Sequence, residues 1–254
     1  MVVMLGHVET YILEKLAVER ALHVTLIDPE KITPAQAAVV AENSKSSGTA
    51  AIMVGGSTFS SQEHLDLVVQ AIKQVVDLPV ILFPNNESGI SRYSDAIWFM
   101  SLLNSLDPYY LVGAQILGAP LIKKLNIEPI PMGYIVVGQG GTVGMVGKAK
   151  PIAYDQSDLV TAHALAGQYF GMRFIYLEGG SGVADPVPPD MIKTVKKHLD
   201  VPLIVGGGIR TREQAAAAAK AGADIIVTGN LIESVDNKRR ITEVIEGLKQ
   251  KSVM

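Results

Sequence analysis

Eight short apolar runs, spaced along the whole chain and separated by helix-like segments, constrain the fold more than any other feature of the sequence. Each run is continuously apolar instead of alternating with polar residues, which is typical of strands buried on both faces. The runs cover residues 23–28, 50–55, 80–84, 96–101, 130–137, 174–178, 203–206 and 224–228. Eight such strands alternating with helices predict an α/β fold, a (β/α)8 barrel of the TIM type, with an open doubly wound sheet as the alternative.

Helix signals occupy most of the intervals between these runs. Thr33 precedes a proline and can cap a helix, and Thr211 opens an alanine-rich segment that Gly222 ends. Strands three and four are separated only by residues 85–95, too few for a loop and a packed helix. We therefore expect the third barrel helix to be reduced or missing, which leaves one side of the barrel uncovered. Because no linker interrupts the chain, residues 1–254 are predicted to form a single barrel domain.

The composition bears on membrane insertion, on nucleic-acid binding and on cysteine chemistry. The chain is 48% hydrophobic with a mean hydropathy of +0.28, yet its longest uncharged stretches, 129–147 and 108–122, are broken by glycine and proline or too short to span a membrane. A net charge of −3 argues against a nucleic-acid partner. With 0 cysteines the chain has no disulfide or thiolate chemistry. We expect a cytoplasmic protein without a transmembrane segment.

Glycine-bearing turns follow each of the last three predicted strands. They are YLEGGSG at 176–182, GGGIR at 206–210 and TGN at 228–230. In barrels of this class the loops after strands seven and eight often bind phosphate through backbone N–H groups, which glycine allows the anion to approach closely. The alternative is that the glycines simply end their strands. The turns favour a phosphate site and leave the reaction open.

Two carboxylates are expected at strand tips, where barrel active sites open. Asp28 ends strand one and Ser57 follows strand two; a carboxylate beside a hydroxyl suits Mg²⁺ that also binds substrate phosphates. The alternative is that Asp28 caps the next helix and Ser57 ends a turn. Glu178, at the tip of strand six, is a candidate general base towards a substrate hydroxyl, or a group that only orients that hydroxyl. The 5 histidines lack ligand spacing and point to structural roles.

Five segments together closely resemble one enzyme family. HVTLIDPEK at 23–31, VGGS at 54–57, VGGGIR at 205–210 and the turns at 176–182 and 228–230 are similar to geranylgeranylglyceryl phosphate synthases. Their bacterial relatives, the heptaprenylglyceryl phosphate synthases, share this pattern. The resemblance covers nearly the whole chain. It implies a barrel lacking one helix, a homo-oligomer (dimer or hexamer), and Mg²⁺-dependent transfer of a prenyl group from its diphosphate to the C3 hydroxyl of sn-glycerol 1-phosphate, an early step of archaeal lipid synthesis.

The resemblance also implies roles for individual residues. Asp28 and Ser57 are implied to bind Mg²⁺, and Asp28 and Glu178 to be catalytic. Gly179 departs from the alanine that many relatives carry, which should loosen its loop slightly. The implied sn-glycerol 1-phosphate site comprises Tyr176, Leu177, Glu178, Gly179, Gly180, Ser181, Gly182, Gly207, Gly208, Gly229 and Asn230.

A long prenyl chain needs an apolar groove, and the gap left by the missing helix is our candidate for it. We expect Trp98 to limit the chain length. The residues expected to line this groove are Ile97, Trp98, Phe99 and Met100 of strand four, with Tyr109 and Tyr110 beyond it. The alternative is that Trp98 packs outside the barrel against a helix or another subunit. A geranylgeranyl donor is expected because the chain is longer than typical bacterial relatives, and product release suggests peripheral membrane contact.

Three other functions stay open from the sequence alone. The first is a heptaprenylglyceryl phosphate synthase that takes a longer donor. The second is another phosphate-binding barrel isomerase or synthase, which explains the glycine turns but neither the LIDPEK segment nor the short third connection. The third is a non-catalytic protein that binds phosphoglycerol or lipid.

Overall fold

The computed structural model describes residues 5–56, 61–229 and 236–249, and in these ranges eight parallel strands close into one barrel. Neighbouring strands pair in chain order and the last pairs with the first. The predicted (β/α)8 fold is therefore confirmed. The strands are β1 (Leu22–Ile27), β2 (Ala51–Gly55), β3 (Val80–Phe83), β4 (Ala96–Leu102), β5 (Glu128–Val136), β6 (Phe174–Glu178), β7 (Leu203–Gly206) and β8 (Ile225–Thr228).

The helices lie outside the barrel and begin largely where the sequence indicates. Thr33 and Thr211 each accept a hydrogen bond from a backbone N–H of the following turn, and Gly222 ends its helix with a φ of 116°. In the described ranges the α-helices are α1 (His7–Glu19), α2 (Pro34–Ser47), α3 (Gln62–Val75), α4 (Ala114–Leu125), α5 (Gly141–Val146), α6 (Ser157–Tyr169), α7 (Pro189–Lys196), α8 (Arg212–Ala221) and α9 (Asn237–Lys249), and a π-helical turn, Tyr109–Gly113, leads into α4. None of them is long and apolar enough to cross a membrane.

The connection from β3 to β4 contains no helix, as expected. Residues 84–95 form turns and bends, and the side chain of Asp95 ties their end to the barrel. Its carboxylate accepts the backbone N–H of Val80 at 2.8 Å and pairs with Lys73 of α3 at 2.7 Å. Where this helix is missing, residues 84–87 line a cavity that is described below.

Helix α1, which the strand pattern did not predict, closes the N-terminal end of the barrel. Val8 and Ile12 pack into the cluster of inward-facing side chains. Glu128, at the start of β5, caps the helix by accepting the backbone N–H groups of Val8 and Glu9 at 2.7 and 2.8 Å. Fully buried Glu9 in turn pairs with Arg173. Because this end is sealed, access to the barrel is from the carboxyl ends of the strands.

Candidate active site

A cavity of about 920 Å³ opens at the carboxyl ends of the strands. At one end, which we call the polar end, it is lined by Asp28, Glu178 and the glycine turns after β6, β7 and β8. At the other, the apolar arm, it follows the gap left by the missing helix. The apolar arm is lined by Phe83, Ile90, Ile97, Phe99, Gly118 and Ile122. One cavity thus joins a polar pocket to an extended apolar surface.

Glu178 is the buried carboxylate of the polar end, with 7% of its surface exposed. Its Oε1 accepts the backbone N–H of Gly180 at 2.7 Å, and its Oε2 accepts the hydroxyl of Tyr134 at 3.1 Å. Burial raises the pKa of Glu178, while hydrogen bonds from Gly180, Tyr134 and Tyr176 pull the pKa down. A carboxylate whose pKa is raised, and which is still supplied with hydrogen-bond donors, is suited to act as a general base.

Three aromatic rings surround this carboxylate inside the barrel. Tyr134 and Tyr176 meet edge to face at 5.0 Å between ring centroids, and Phe83 stacks on Tyr176 at 5.7 Å. Burial raises the pKa of both tyrosines well above the ordinary value, so their hydroxyls stay protonated and donate to Glu178. The two tyrosine hydroxyls therefore hold the carboxylate from one side.

The turns after β6 and β7 pack against each other at the polar end. Gly180, Gly207 and Gly208 all have positive φ, at 114°, 86° and 76°. A Cβ on Gly208 would lie 2.9 Å from the backbone of Asp185, and one on Gly207 would lie 2.7 Å from Glu178 Oε1. Glycine is required here by backbone conformation and by close approach, so the glycines do more than end their strands.

Arg210 lines the cavity, and its guanidinium joins the same two turns. Its Nη2 donates to the carbonyl of Val183 at 2.7 Å, and its Nη1 to those of Ala184 and Gly208 at 3.2 and 3.3 Å. Its guanidinium therefore bridges carbonyl oxygens on both loops. The GGGIR turn owes its shape partly to this arginine.

Asp28 lies at the mouth of the cavity, and its side chain caps the short 3-10 turn Pro29–Lys31, as the alternative interpretation expects. Its Oδ1 accepts the backbone N–H of Glu30 at 3.1 Å, and a Cβ on Gly56 would meet this oxygen at 2.6 Å. Ser57, the other expected ligand, lies outside the described residues. Within the described ranges, no group of three or more acidic or histidine side chains could hold a metal ion. A single carboxylate suits Mg²⁺ that takes its other ligands from substrate phosphates and water.

The remaining predicted site residues take different positions. Tyr176, Ser181, Gly182 and Gly229 line the cavity, whereas the side chain of Leu177 packs outside the barrel. Gly179 joins the two turns, its N–H donating to the carbonyl of Gly206 at 3.0 Å. Asn230 lies outside the described residues.

Trp98 and Tyr109 take different positions from each other. Trp98 points into the barrel, 1% exposed, and contacts Phe174 at 5.1 Å between centroids; it lines the cavity and does not pack outside the barrel. The Tyr109 hydroxyl donates to Glu87, and it is Tyr110 that lines the cavity. Of the two tyrosines, the structure thus favours Tyr110 for contact with a cavity ligand.

Sequence reasoning missed Tyr134 and Lys31. Tyr134 lies in β5 on the same face as Met132 and Val136, and a tyrosine on the inward face of a buried strand needs a partner for its hydroxyl. That combination could have indicated Tyr134. Lys31 is the last residue of the LIDPEK segment and lines the cavity beside Asp28.

These features define a class: a (β/α)8 barrel with a buried carboxylate at its mouth, between glycine turns and a long apolar arm. The family comparison narrows the class. The sequence pattern of the PcrB family matches residues 14–248, and the chain belongs to that family.

Individual relatives agree with this membership. The chain is 56% identical, over 97% of both chains, to a geranylgeranylglyceryl phosphate synthase of Thermococcus kodakarensis, and 52% identical to one of Methanothermobacter thermautotrophicus, over 91% of this chain and 94% of that one. A crystal structure of (S)-3-O-geranylgeranylglyceryl phosphate synthase from Thermoplasma acidophilum in complex with sn-glycerol-1-phosphate superimposes with a TM-score of 0.91 at 45% identity, covering 97% of this chain and 100% of that one. Thiamine phosphate pyrophosphorylase of Pyrococcus furiosus, at 11% identity and a TM-score of 0.58, shares the fold alone.

Proposed function

We propose that this protein is a prenyltransferase that joins the C3 hydroxyl of sn-glycerol 1-phosphate to C1 of geranylgeranyl diphosphate, giving geranylgeranylglyceryl phosphate and diphosphate. The observation that carries the proposal is the position of Glu178. This buried carboxylate lies where the glycine turns meet the apolar arm of the cavity. The names and the high coverage of the relatives support the same reaction.

Glu178 acts as the general base in this proposal. A carboxylate offers about four acceptor positions. Hydrogen bonds from Gly180, Tyr134 and Tyr176 occupy three of them, which leaves room for one substrate hydroxyl. Because burial raises its pKa, Glu178 binds a proton more strongly than an exposed glutamate does. It takes the C3 hydroxyl proton as the new C–O bond forms.

The glycine turns hold the other end of the acceptor. Gly207, Gly208 and Ser181 line the polar end and present a backbone that a phosphate can approach closely. Fixing the phosphate there aims the C3 hydroxyl at Glu178 and removes much of the entropic barrier to a two-substrate reaction.

Asp28 would hold Mg²⁺, with Ser57 as the second protein ligand implied by the resemblance. The ion, when bound, supplies positive charge for the diphosphate leaving group. Replacing the carboxylate in Asp28→Asn should abolish Mg²⁺-dependent turnover. It should also weaken the binding of Mn²⁺, measured by electron paramagnetic resonance. Unchanged Mn²⁺ binding would show that Asp28 is not a metal ligand.

The apolar arm takes the prenyl chain in this proposal. Ile97, Phe99 and Ile122 supply an apolar lining along the gap of the missing helix. Trp98, on the same strand, projects into the barrel, away from Ile97 and Phe99, and lines the cavity there. We propose geranylgeranyl diphosphate as the donor whose chain this apolar lining takes.

A donor-competition assay tests the proposal. The protein is incubated with Mg²⁺, sn-glycerol 1-phosphate and an equimolar mixture of C15, C20 and C35 prenyl diphosphates, and ether products are resolved by mass spectrometry. We expect the C20 ether to dominate. A dominant C35 ether would instead identify a heptaprenylglyceryl phosphate synthase. The absence of any ether product would contradict the proposal and favour another phosphate-binding barrel enzyme or a non-catalytic binding protein.

We further propose a cytoplasmic homo-oligomer that contacts membranes peripherally during product release. Exposed apolar side chains support an oligomer: Tyr169 and Phe170, at the end of α6, are 77% and 79% exposed. The lack of cysteine fits a reducing compartment. Light scattering of the wild type and of a Tyr169→Ser/Phe170→Ser variant should show a larger mass for the wild type. A monomeric wild type would overturn the oligomer.

A further inference from the structure

A chain of five buried polar side chains lies outside the barrel and joins β1 to α2 and to β8. His23 and Thr25 project from the outer face of β1, and hydrogen bonds connect them to Ser44, Thr49 and Thr228. Each of the five residues is at most 4% exposed. Polar groups are costly to bury unless they are hydrogen-bonded. The reaction proposed above uses none of these five side chains.

The hydrogen bonds of this network run in one direction. The hydroxyl of Thr25 donates to Ser44 at 3.0 Å, so Thr25 accepts from Thr49 at 3.1 Å. The one hydroxyl proton of Thr49 is thereby used, and its oxygen accepts from Nδ1 of His23 at 2.7 Å. A neutral imidazole that donates from Nδ1 accepts at Nε2, so the hydroxyl of Thr228 donates to Nε2 at 2.8 Å.

Thr228 is the residue at which this network meets the cavity. It ends β8, whose pairing with β7 reaches Val227 and whose pairing with β1 reaches Thr228. Thr228 and Gly229, which follows directly, both line the cavity. Because the Thr228 side chain is bonded to His23 outside the barrel, the hydrogen bond fixes the last strand residue before the glycine turn after β8.

We propose that His23 is a positioning residue for the acceptor phosphate site. By accepting the hydroxyl of Thr228, His23 holds the end of β8 against β1 and sets where the backbone of Gly229 meets the phosphate of sn-glycerol 1-phosphate. Hydrogen bonds to an anion depend steeply on distance and angle, so a small displacement of the turn weakens them. The inference rests on the proposed function for the identity of the acceptor.

Variants on both sides of the hydrogen bond test the proposal. Thr228→Val removes the hydroxyl and keeps the shape, Thr228→Ser keeps the hydroxyl, and His23→Leu removes the acceptor. Thr161→Val is the matched control: Thr161 is a buried threonine of α6 whose hydroxyl donates to the carbonyl of Ser157 at 2.8 Å, and it does not line the cavity.

Two ligands are titrated calorimetrically into each protein. Binding of sn-glycerol 1-phosphate reports on the acceptor end of the cavity, and binding of inorganic pyrophosphate in the presence of Mg²⁺ reports on the donor end. The melting temperature Tm of each variant reports on stability, which a purely structural role would change without distinguishing the two ligands.

Loss of the hydrogen bond that orients the turn predicts that the dissociation constant of sn-glycerol 1-phosphate rises about fivefold or more in Thr228→Val and His23→Leu. Thr228→Ser should bind this ligand like the wild type. The dissociation constant of pyrophosphate, whose site does not share the contact, should stay within about twofold throughout. Thr161→Val should lower Tm as Thr228→Val does and leave both dissociation constants unchanged.

The double variant His23→Leu/Thr228→Val tests whether the two residues act through one hydrogen bond. If they do, it should bind sn-glycerol 1-phosphate no more weakly than the weaker of the two single variants. Fully additive losses would contradict the assignment of His23 as the residue that acts through Thr228.

Wild-type affinity for sn-glycerol 1-phosphate in both Thr228→Val and His23→Leu would overturn the proposal. An equal loss of affinity for both ligands would also overturn it, since the network would then serve only stability. Failure of the proposed function is seen separately, as the absence of an ether product from a wild-type protein that binds sn-glycerol 1-phosphate.

Discussion

The hydroxyl of Tyr134 donates a 3.1 Å hydrogen bond to Oε2 of Glu178, from the strand that neighbours it in the barrel. Glu178 is in register with Val136, which lies two residues beyond Tyr134 on β5. The side chains of Tyr134 and Glu178 therefore project to the same inward face of the barrel. The contact brings a protonated phenol to a buried carboxylate. It makes Tyr134 a positioning residue for the base.

Tyr134→Phe should move the pH profile of the reaction. The hydrogen bond from Tyr134 lowers the pKa of Glu178, so its removal should raise that pKa further. Because the base must be ionised, the acid limb of kcat/KM should shift to higher pH, with most activity recovered above it. The measurement is kcat/KM for sn-glycerol 1-phosphate against pH in both proteins. An unchanged limb with uniformly lower activity would mean that Tyr134 only packs.

Glu178→Gln should make the protein more stable at neutral pH while impairing its chemistry. The folded-state pKa of Glu178 is raised above its unfolded value by burial, so the folded state holds the proton more tightly. The contribution of Glu178 to the free energy of unfolding is therefore full below its unfolded pKa. This contribution is lost as the pH rises through the raised pKa of the folded state. An amide avoids that loss, so Tm should rise for Glu178→Gln at pH 7 and the gap should close near pH 4. Glu63→Gln, on the exposed side of α3, is the control and should leave Tm unchanged.

Arg210→Ala should weaken the glycerol phosphate site without affecting the donor site. Three hydrogen bonds from Arg210 hold the turn after β6 to the turn after β7, and their loss frees both loops. We expect KM for sn-glycerol 1-phosphate to rise about tenfold and KM for the prenyl diphosphate to change little. Millimolar guanidinium should restore part of the lost affinity. If both KM values rise together and guanidinium has no effect, Arg210 has a global structural role.

Buried His23, on the outer face of β1, should make the stability of the barrel sensitive to acid. Its Nδ1 and Nε2 lie 2.7 and 2.8 Å from the hydroxyls of Thr49 and Thr228, and burial lowers the pKa of His23 to about 3. Because the pKa of His23 is lowered in the folded state, its contribution to the free energy of unfolding is full above the unfolded pKa. This contribution is lost as the pH falls towards about 3. Urea unfolding at pH 7 and at pH 4 should show this loss in the wild type. His23→Gln, which cannot gain a proton, should lose less between the two pH values.

The barrel could be predicted from sequence because its signals are local. A strand buried on both faces must be apolar along its length, so β6 and β7 were located to the residue. The missing third helix followed from the eleven residues between predicted strands, 85–95, which fix how far the chain can travel.

What the sequence could not supply is contact between distant segments. Helix α1 was missed because its role depends on Glu128 and Arg173, which lie more than a hundred residues away. The hydrogen bonds of Arg210 to Val183 and Ala184 were missed for the same reason. The inward orientation of Trp98 depends on strand register, which a run of consecutive apolar residues does not reveal.

In the proposed reaction, Glu178 removes the proton of the acceptor hydroxyl. The most direct measurement is kcat for Glu178→Gln with both substrates saturating, alongside KM for sn-glycerol 1-phosphate. Loss of a general base predicts that kcat falls about 10²- to 10⁴-fold, while KM changes little. A kcat near that of the wild type with only KM raised would contradict the claim and make Glu178 a binding residue.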